Sequence, residues 1–182
     1  MPSLPEPRLE IGVGSGRFAR ALGIGTGVDP SARLLDIAGK RGIKTIQGRG
    51  EEELFPEASF GTVFLIVTLC FVASPRAVLR EAHRILRPGG KVVLGLVLRE
   101  SPWGEFYARK KEQGHRFYKH ATFYTYEEIT GLLEQAGFTA ERTVSTLFQE
   151  PGRVHGAEEP RQGYSPDAGF TIIVGGKNES EV

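Results

Sequence analysis

The 182-residue sequence predicts an α/β fold, with a mostly parallel sheet, crossover helices and an antiparallel edge. Three observations predict it. Strand-like and helix-like segments alternate through residue 98. A glycine turn, Gly12-x-Gly14-x-Gly16, joins the first strand to the first helix. The fourth strand is continuously apolar, which suits burial on both faces. In order, the first strand ends over Leu9 to Ile11, and a short helix spans Phe18 to Leu22. The second strand is Ile24 to Val28. A helix runs from Ala32 to Arg41, with Ser31 as N-cap and Gly42 as its stop. Lys44 to Gln47 forms the third strand and Thr62 to Val67 the fourth. Ser74 caps the next helix, with Pro75 at its first position, where no N–H is needed. Lys91 to Val97 is the fifth strand. Thr125-x-x-Glu128 is a capping box that opens a helix ending before Gly137. Ala140 to Phe148 and Gly169 to Val174 read as strands joined without a helix, hence an antiparallel edge pair. Gly152 to Asp167 reads as a polar loop and Gly175 to Val182 as a solvated tail. There is no internal repeat and no low-complexity block.

The glycine turn and Asp29 point to a nucleoside-containing ligand. Glycines let a ligand approach the backbone, and a carboxylate can accept both hydrogen bonds of a ribose diol. A phosphate-binding P-loop needs Gly-Lys-Ser/Thr, which does not occur. The dinucleotide fingerprint can be laid on Gly14, Gly16 and Ala19, but its acid should lie about 20 residues further on, and Asp29 comes too early. A third reading uses Glu10, Gly12, Gly14 and Gly16 with Gly27-Val28-Asp29-Pro30-Ser31. This set resembles the first motif and the ribose-binding acid of class I S-adenosylmethionine-dependent methyltransferases. A carboxylate at Glu10 suits a cationic sulfonium better than a pyrophosphate.

Other segments resemble the same family. Gln47-Gly48-Arg49-Gly50-Glu51-Glu52 sits where it has an adenine-edge loop. Pro75 to Lys91, ending Arg87-Pro88-Gly89-Gly90-Lys91, looks like its signature helix and turn. Gly61 departs from the aspartate usual after Phe60, and Arg49 and Glu53 depart from the usual loop. The resemblance, strong over residues 8 to 98, implies a Rossmann-like, seven-stranded sheet with a reversed strand at one edge. It implies S-adenosylmethionine as cofactor, held by Glu10, Gly12, Gly14, Gly16, Asp29, Pro30, Gly50, Glu51 and Thr68. The lesser alternative for Asp29 is a role in a helix cap, while Thr68 reads equally as a structural strand end. Such sheets usually carry helices ahead of the first strand. None is available here, so the fold either does without them or the sequence is a shortened form of a longer product.

Composition bounds the rest. A net charge of +1 implies no bulk attraction to nucleic acid or membrane. Forty per cent apolar content fits one globular domain over residues 1–182. The single Cys70 rules out an internal disulfide and fits a reducing, cytoplasmic setting. No apolar run approaches the ~20 residues of a membrane helix. Four scattered histidines and one cysteine offer no metal-ligand spacing.

Methyl transfer from a sulfonium needs alignment and exclusion of water more than a catalytic triad. The acceptor side points to Arg99 to Tyr126, where Trp103, Phe106, Tyr107, Phe117, Tyr118, Phe123, Tyr124 and Tyr126 interleave with Arg109, Lys110, Lys111, His115, Arg116, Lys119 and His120. Three readings stand: a substrate lid, a single-stranded RNA stacking surface, and a packed helical insert. The expectation is methyl transfer to a small molecule. The alternatives are a non-catalytic cofactor or nucleoside binder, and an RNA or protein methyltransferase, which would need a basic face.

Overall fold

In the computed structural model, which describes residues 4–178, eight strands form one sheet. The strands are β1 (Arg8–Ile11), β2 (Thr26–Asp29), β3 (Lys44–Gln47), β4 (Phe60–Ile66), β5 (Leu86–Leu96), β6 (Phe138–Thr146), β7 (Arg161–Gln162) and β8 (Phe170–Lys177). Their spatial order is β3-β2-β1-β4-β5-β8-β6-β7. The first five are parallel, while β8 runs against both β5 and β6, and β7 against β6. The predicted α/β class and antiparallel edge are present. The strand number is not seven, because the two-residue β7 adds an eighth within the stretch read as a polar loop.

Five helices cover the sheet: α1 (Arg17–Leu22), α2 (Ala32–Lys40), α3 (Pro75–Ile85), α4 (Pro102–Glu112) and α5 (Tyr126–Gln135). Every residue of β4 is buried, and its side chains alternate between the two faces as a pleated strand requires. Val63 and Leu65 pack with Val78, Leu79 and Ile85 of α3 and with Ile129 and Leu133 of α5. Phe64 and Ile66 pack with Ala19 of α1 and with Leu35 and Ala38 of α2.

The caps follow the sequence. Ser31 and Ser74 accept from Leu34 and Ala77, and Thr125 and Glu128 close a reciprocal capping box. Gly61, where an aspartate is usual, lies under the incoming chain; a Cβ there would sit 2.7 Å from the Glu6 carbonyl. One expectation fails at the end of the chain. Gly175 to Lys177 belong to β8, because Gly175 pairs with Val92 of β5 on one side and Ala140 of β6 on the other. A Cβ at Gly175 would come within 2.9 Å of Val92 Cγ1, so the tight fit selects glycine there. The rest of the tail, residues 179–182, lies outside the described residues.

Candidate functional site

Two cavities open at the carboxyl ends of the parallel strands, where ligands gather in sheets of this kind. The first is a crevice of about 360 Å³ over the glycine turn. Its floor is main chain. Gly12 and Val13 both donate N–H to the Val28 carbonyl, at 2.8 and 2.9 Å, so the turn is clamped to the end of β2. Gly12, Gly14 and Gly16 all have left-handed φ angles, of 76°, 52° and 75°. Gly12 is held by crowding as well: a Cβ there would lie 2.4 Å from Thr68 Oγ1. A Cβ on Gly14 would meet nothing within 4 Å. Gly16 serves packing, with a virtual Cβ 3.0 Å from Ala38 Cβ.

Asp29 is 8% exposed and ties the crevice together. Its Oδ2 accepts from Gly14 N–H and its Oδ1 from Ser31 N–H, each at 2.9 Å. Every carboxylate oxygen has a second acceptor site, so both remain able to accept a hydroxyl. Glu10 lies beneath the turn, 1% exposed, and its Oε2 has no hydrogen-bond partner. Burial pushes its carboxyl up to about 8, opposed by a hydrogen bond from the Ala19 backbone. An acid held in an apolar setting stays protonated until a compensating positive charge arrives.

Of the nine residues expected at the site, Gly12, Asp29, Pro30, Gly50, Glu51 and Thr68 line the crevice. Glu10, Gly14 and Gly16 support it from outside that lining. Gly50 has no room for a side chain, since a Cβ would lie 2.6 Å from Ile11 Cγ2. The Glu51 carboxylate accepts the N–H groups of Ala73 and Ser74, at 3.1 and 3.3 Å, and so holds the start of α3. Thr68 directs its hydroxyl at the Ile11 and Ile66 carbonyls, both at 3.1 Å.

The second cavity, of about 250 Å³, lies under the Arg99–Tyr126 segment. Its walls include Trp103 and Tyr107 of α4, Tyr118 of a single 3-10 turn (Tyr118–His120), Phe123, Tyr124 and Phe170. The segment is anchored at its root. Ser101 caps α4, and Gly104 sits so close to the Leu98 carbonyl that no side chain fits. The Trp103 indole donates to the Gln149 carbonyl at 2.8 Å, and Thr122 N–H bonds the Cys70 carbonyl at 2.8 Å. Burial pushes the Cys70 thiol and the Tyr118 hydroxyl up to about 12, and Tyr124 is raised by the same cause. Among the described residues, no cluster of metal-ligating side chains occurs.

The cavities share Val67 and Phe71. Sequence reasoning did not single out either, although Val67 ends the apolar run it identified. Val67 has a φ of 54° and Leu147, in the aromatic cavity, 64°. A β-branched residue in that region is an outlier maintained by its surroundings. No helix among the described residues is long and apolar enough to cross a membrane.

Comparisons with known proteins agree with this geometry. Residues 9–94 match a family described as a methyltransferase domain. A solved structure from Thermotoga maritima, described as an S-adenosylmethionine-dependent methyltransferase and possible histamine N-methyltransferase, is 40% identical with a TM-score of 0.91; the match covers 98% of this chain and 84% of that one. A protein of Methanocaldococcus jannaschii is 38% identical over 93% of this chain and 82% of its own length. A protein of Mycobacterium tuberculosis is 41% identical over 92% of this chain, which spans 59% of that relative's length.

Proposed function

As the chain belongs to the S-adenosylmethionine-dependent methyltransferase family, we propose that it transfers the cofactor's methyl group to a small molecule held in the aromatic cavity. One observation carries this reading: the crevice that holds the glycine turn and Asp29 and the apolar, ring-lined cavity meet at Val67 and Phe71, just after β4. When bound, the cofactor supplies a methyl already activated on sulfur.

The residues fit that cofactor. Asp29 offers its two free acceptor sites to the ribose hydroxyls. Gly12 leaves the main chain open to the methionine portion, and Gly14, just outside the lining, keeps the space beside it clear of side chain. The unpartnered Oε2 of Glu10 supplies the negative charge that a sulfonium or ammonium calls for. Gly50 and Pro30 line the adenine side, while Glu51 acts by fixing the loop to α3. Thr68 retains its oxygen as an acceptor. On the acceptor side α4, anchored by Ser101 and Trp103, forms one wall, and the 3-10 turn carrying Tyr118 forms another. Five of the segment's eight rings line the cavity, which leaves few to stack on nucleic acid, so we place nucleic acid outside this reading; a single domain acting in the cytoplasm, away from membranes, stays part of the proposal on the composition alone.

The test is calorimetric titration with S-adenosylhomocysteine, followed by transfer of labelled methyl to a small-molecule panel. Micromolar binding with transfer supports the proposal. Binding without transfer to any acceptor would favour the non-catalytic alternative. Hydrogen exchange across 99–126 should show 104–107 protected throughout and 113–120 gaining protection when ligand is added.

A further inference from the structure

We infer that the aromatic cavity selects an acceptor whose attacking atom is an uncharged nitrogen carried on a flat aromatic body, and that it holds the cationic methylated product. The inference rests on the methyl-transfer reading above. Eight aromatic residues line the cavity and no charged residue does. An anionic acceptor would lose its hydration there and find no counter-charge. An alcohol or phenol acceptor would have to give up a proton to a base. The groups available are the Cys70 thiol and the Tyr118 and Tyr124 hydroxyls, all of which burial keeps protonated at neutral pH.

An uncharged nitrogen escapes both problems. Its lone pair forms the new bond to the methyl carbon. The carbon–sulfur bond breaks, and its electron pair goes to sulfur. The positive charge thereby moves from sulfur to nitrogen, with no proton transferred. Aromatic faces receive such a charge through their quadrupoles. Eight rings from five stretches of the chain line the cavity, so part of the aromatic surface is turned to its interior. The cavity volume, about 250 Å³, equals roughly eight waters and suits a one- or two-ring molecule.

The experiment uses the full chain with quinoline, 2-naphthol and 2-naphthoate as acceptors, read by S-adenosylhomocysteine formed. In parallel, N-methylquinolinium and its carbon isostere 1-methylnaphthalene are titrated against Trp103 fluorescence in the presence of S-adenosylhomocysteine. Quinoline should be methylated, with a rate that falls only where its own nitrogen becomes protonated. The cation should bind about 2- to 30-fold tighter than the isostere, the range of aromatic–cation attraction. Equal or weaker binding of the cation would overturn the inference. So would turnover of naphthol or naphthoate without quinoline, which leaves the methyl-transfer reading standing. Preferential cation binding with no transfer to these probes or to any member of the small-molecule panel would support the cavity's chemistry and overturn that earlier reading instead.

Discussion

The two cavities that meet at Val67 are made of different materials. The crevice is main chain: a glycine turn clamped to Val28, and a carboxylate whose oxygens are positioned by two backbone N–H groups. The aromatic cavity is side chain: rings of α4, the 3-10 turn and Phe123 lean on one another, and Phe170 of β8 completes the wall. A wall of main chain tolerates almost no substitution, because its shape depends on where a Cβ is absent. A wall of rings tolerates exchange of one apolar group for another and loses affinity gradually. On the proposed reading, binding of an invariant cofactor belongs to the first, and choice of acceptor to the second.

The sharpest way to break this contrast is Gly12→Val. The side chain would enter the space of Thr68 Oγ1, at a left-handed φ. Strain and overpacking together should cost about 2–5 kcal/mol of stability, with no titratable S-adenosylhomocysteine binding. Gly14→Val, facing open space, should lose binding at a stability cost of only about 1 kcal/mol. Thermal unfolding and calorimetry of the pair check both, and normal binding by either would displace the ligand from the turn.

Glu10 should give the next effect. Its carboxyl is pushed from 4.5 to about 8 in the folded protein, so the folded state holds a proton that the unfolded state releases. Stability should therefore fall as pH rises from 4.5 to 8, and level off above, by up to a few kcal/mol. Glu10→Gln, which keeps the protonated shape, should flatten the profile in calorimetric scans; an unchanged slope would mean that Glu10 ionises freely.

Asp29→Ala should weaken S-adenosylhomocysteine by about 1.5–3 kcal/mol, the range for bonds to a charged group. Equal affinities would remove Asp29 from the site. The smallest effect belongs to the rings. Phe123→Leu should cost the methylated acceptor about 0.5–1.5 kcal/mol while S-adenosylhomocysteine binds as before. Loss of cofactor affinity in that variant would mean that the two cavities are not separable.

The same contrast decides what the sequence discloses. The turn, Asp29 and the capped helices were legible because each needs a particular residue at a particular spacing. Ser31, Ser74 and Thr125 announce helices α2, α3 and α5 at the residue where each begins. The strand content of Gly175–Gly176 was hidden, since glycine there reflects crowding from Val92 and from the Glu141 side chain, distant in the sequence. That Glu51 serves α3 rather than facing the crevice freely was hidden for the same reason. The aromatic cavity showed only as a composition in Arg99 to Tyr126. Which rings face inward depends on Trp103 seating against Gly169, a contact across 66 positions that no local pattern records.

The position of β8 sets an order of assembly in time. It follows β6 in the sequence but lies between β5 and β6 in the sheet. As the chain leaves the ribosome, β1 to β5 can pair with neighbours already made, and the crevice can take shape early. Strand β6 must wait, because the strand that joins it to β5 has not yet been synthesised. Phe170, on that late strand, closes the aromatic cavity. Until it arrives, β6 and the edge of β5 expose unpaired backbone, the state most open to wrong partners. A nascent chain stalled before residue 170 should already bind S-adenosylhomocysteine and yet be the species that a chaperone holds.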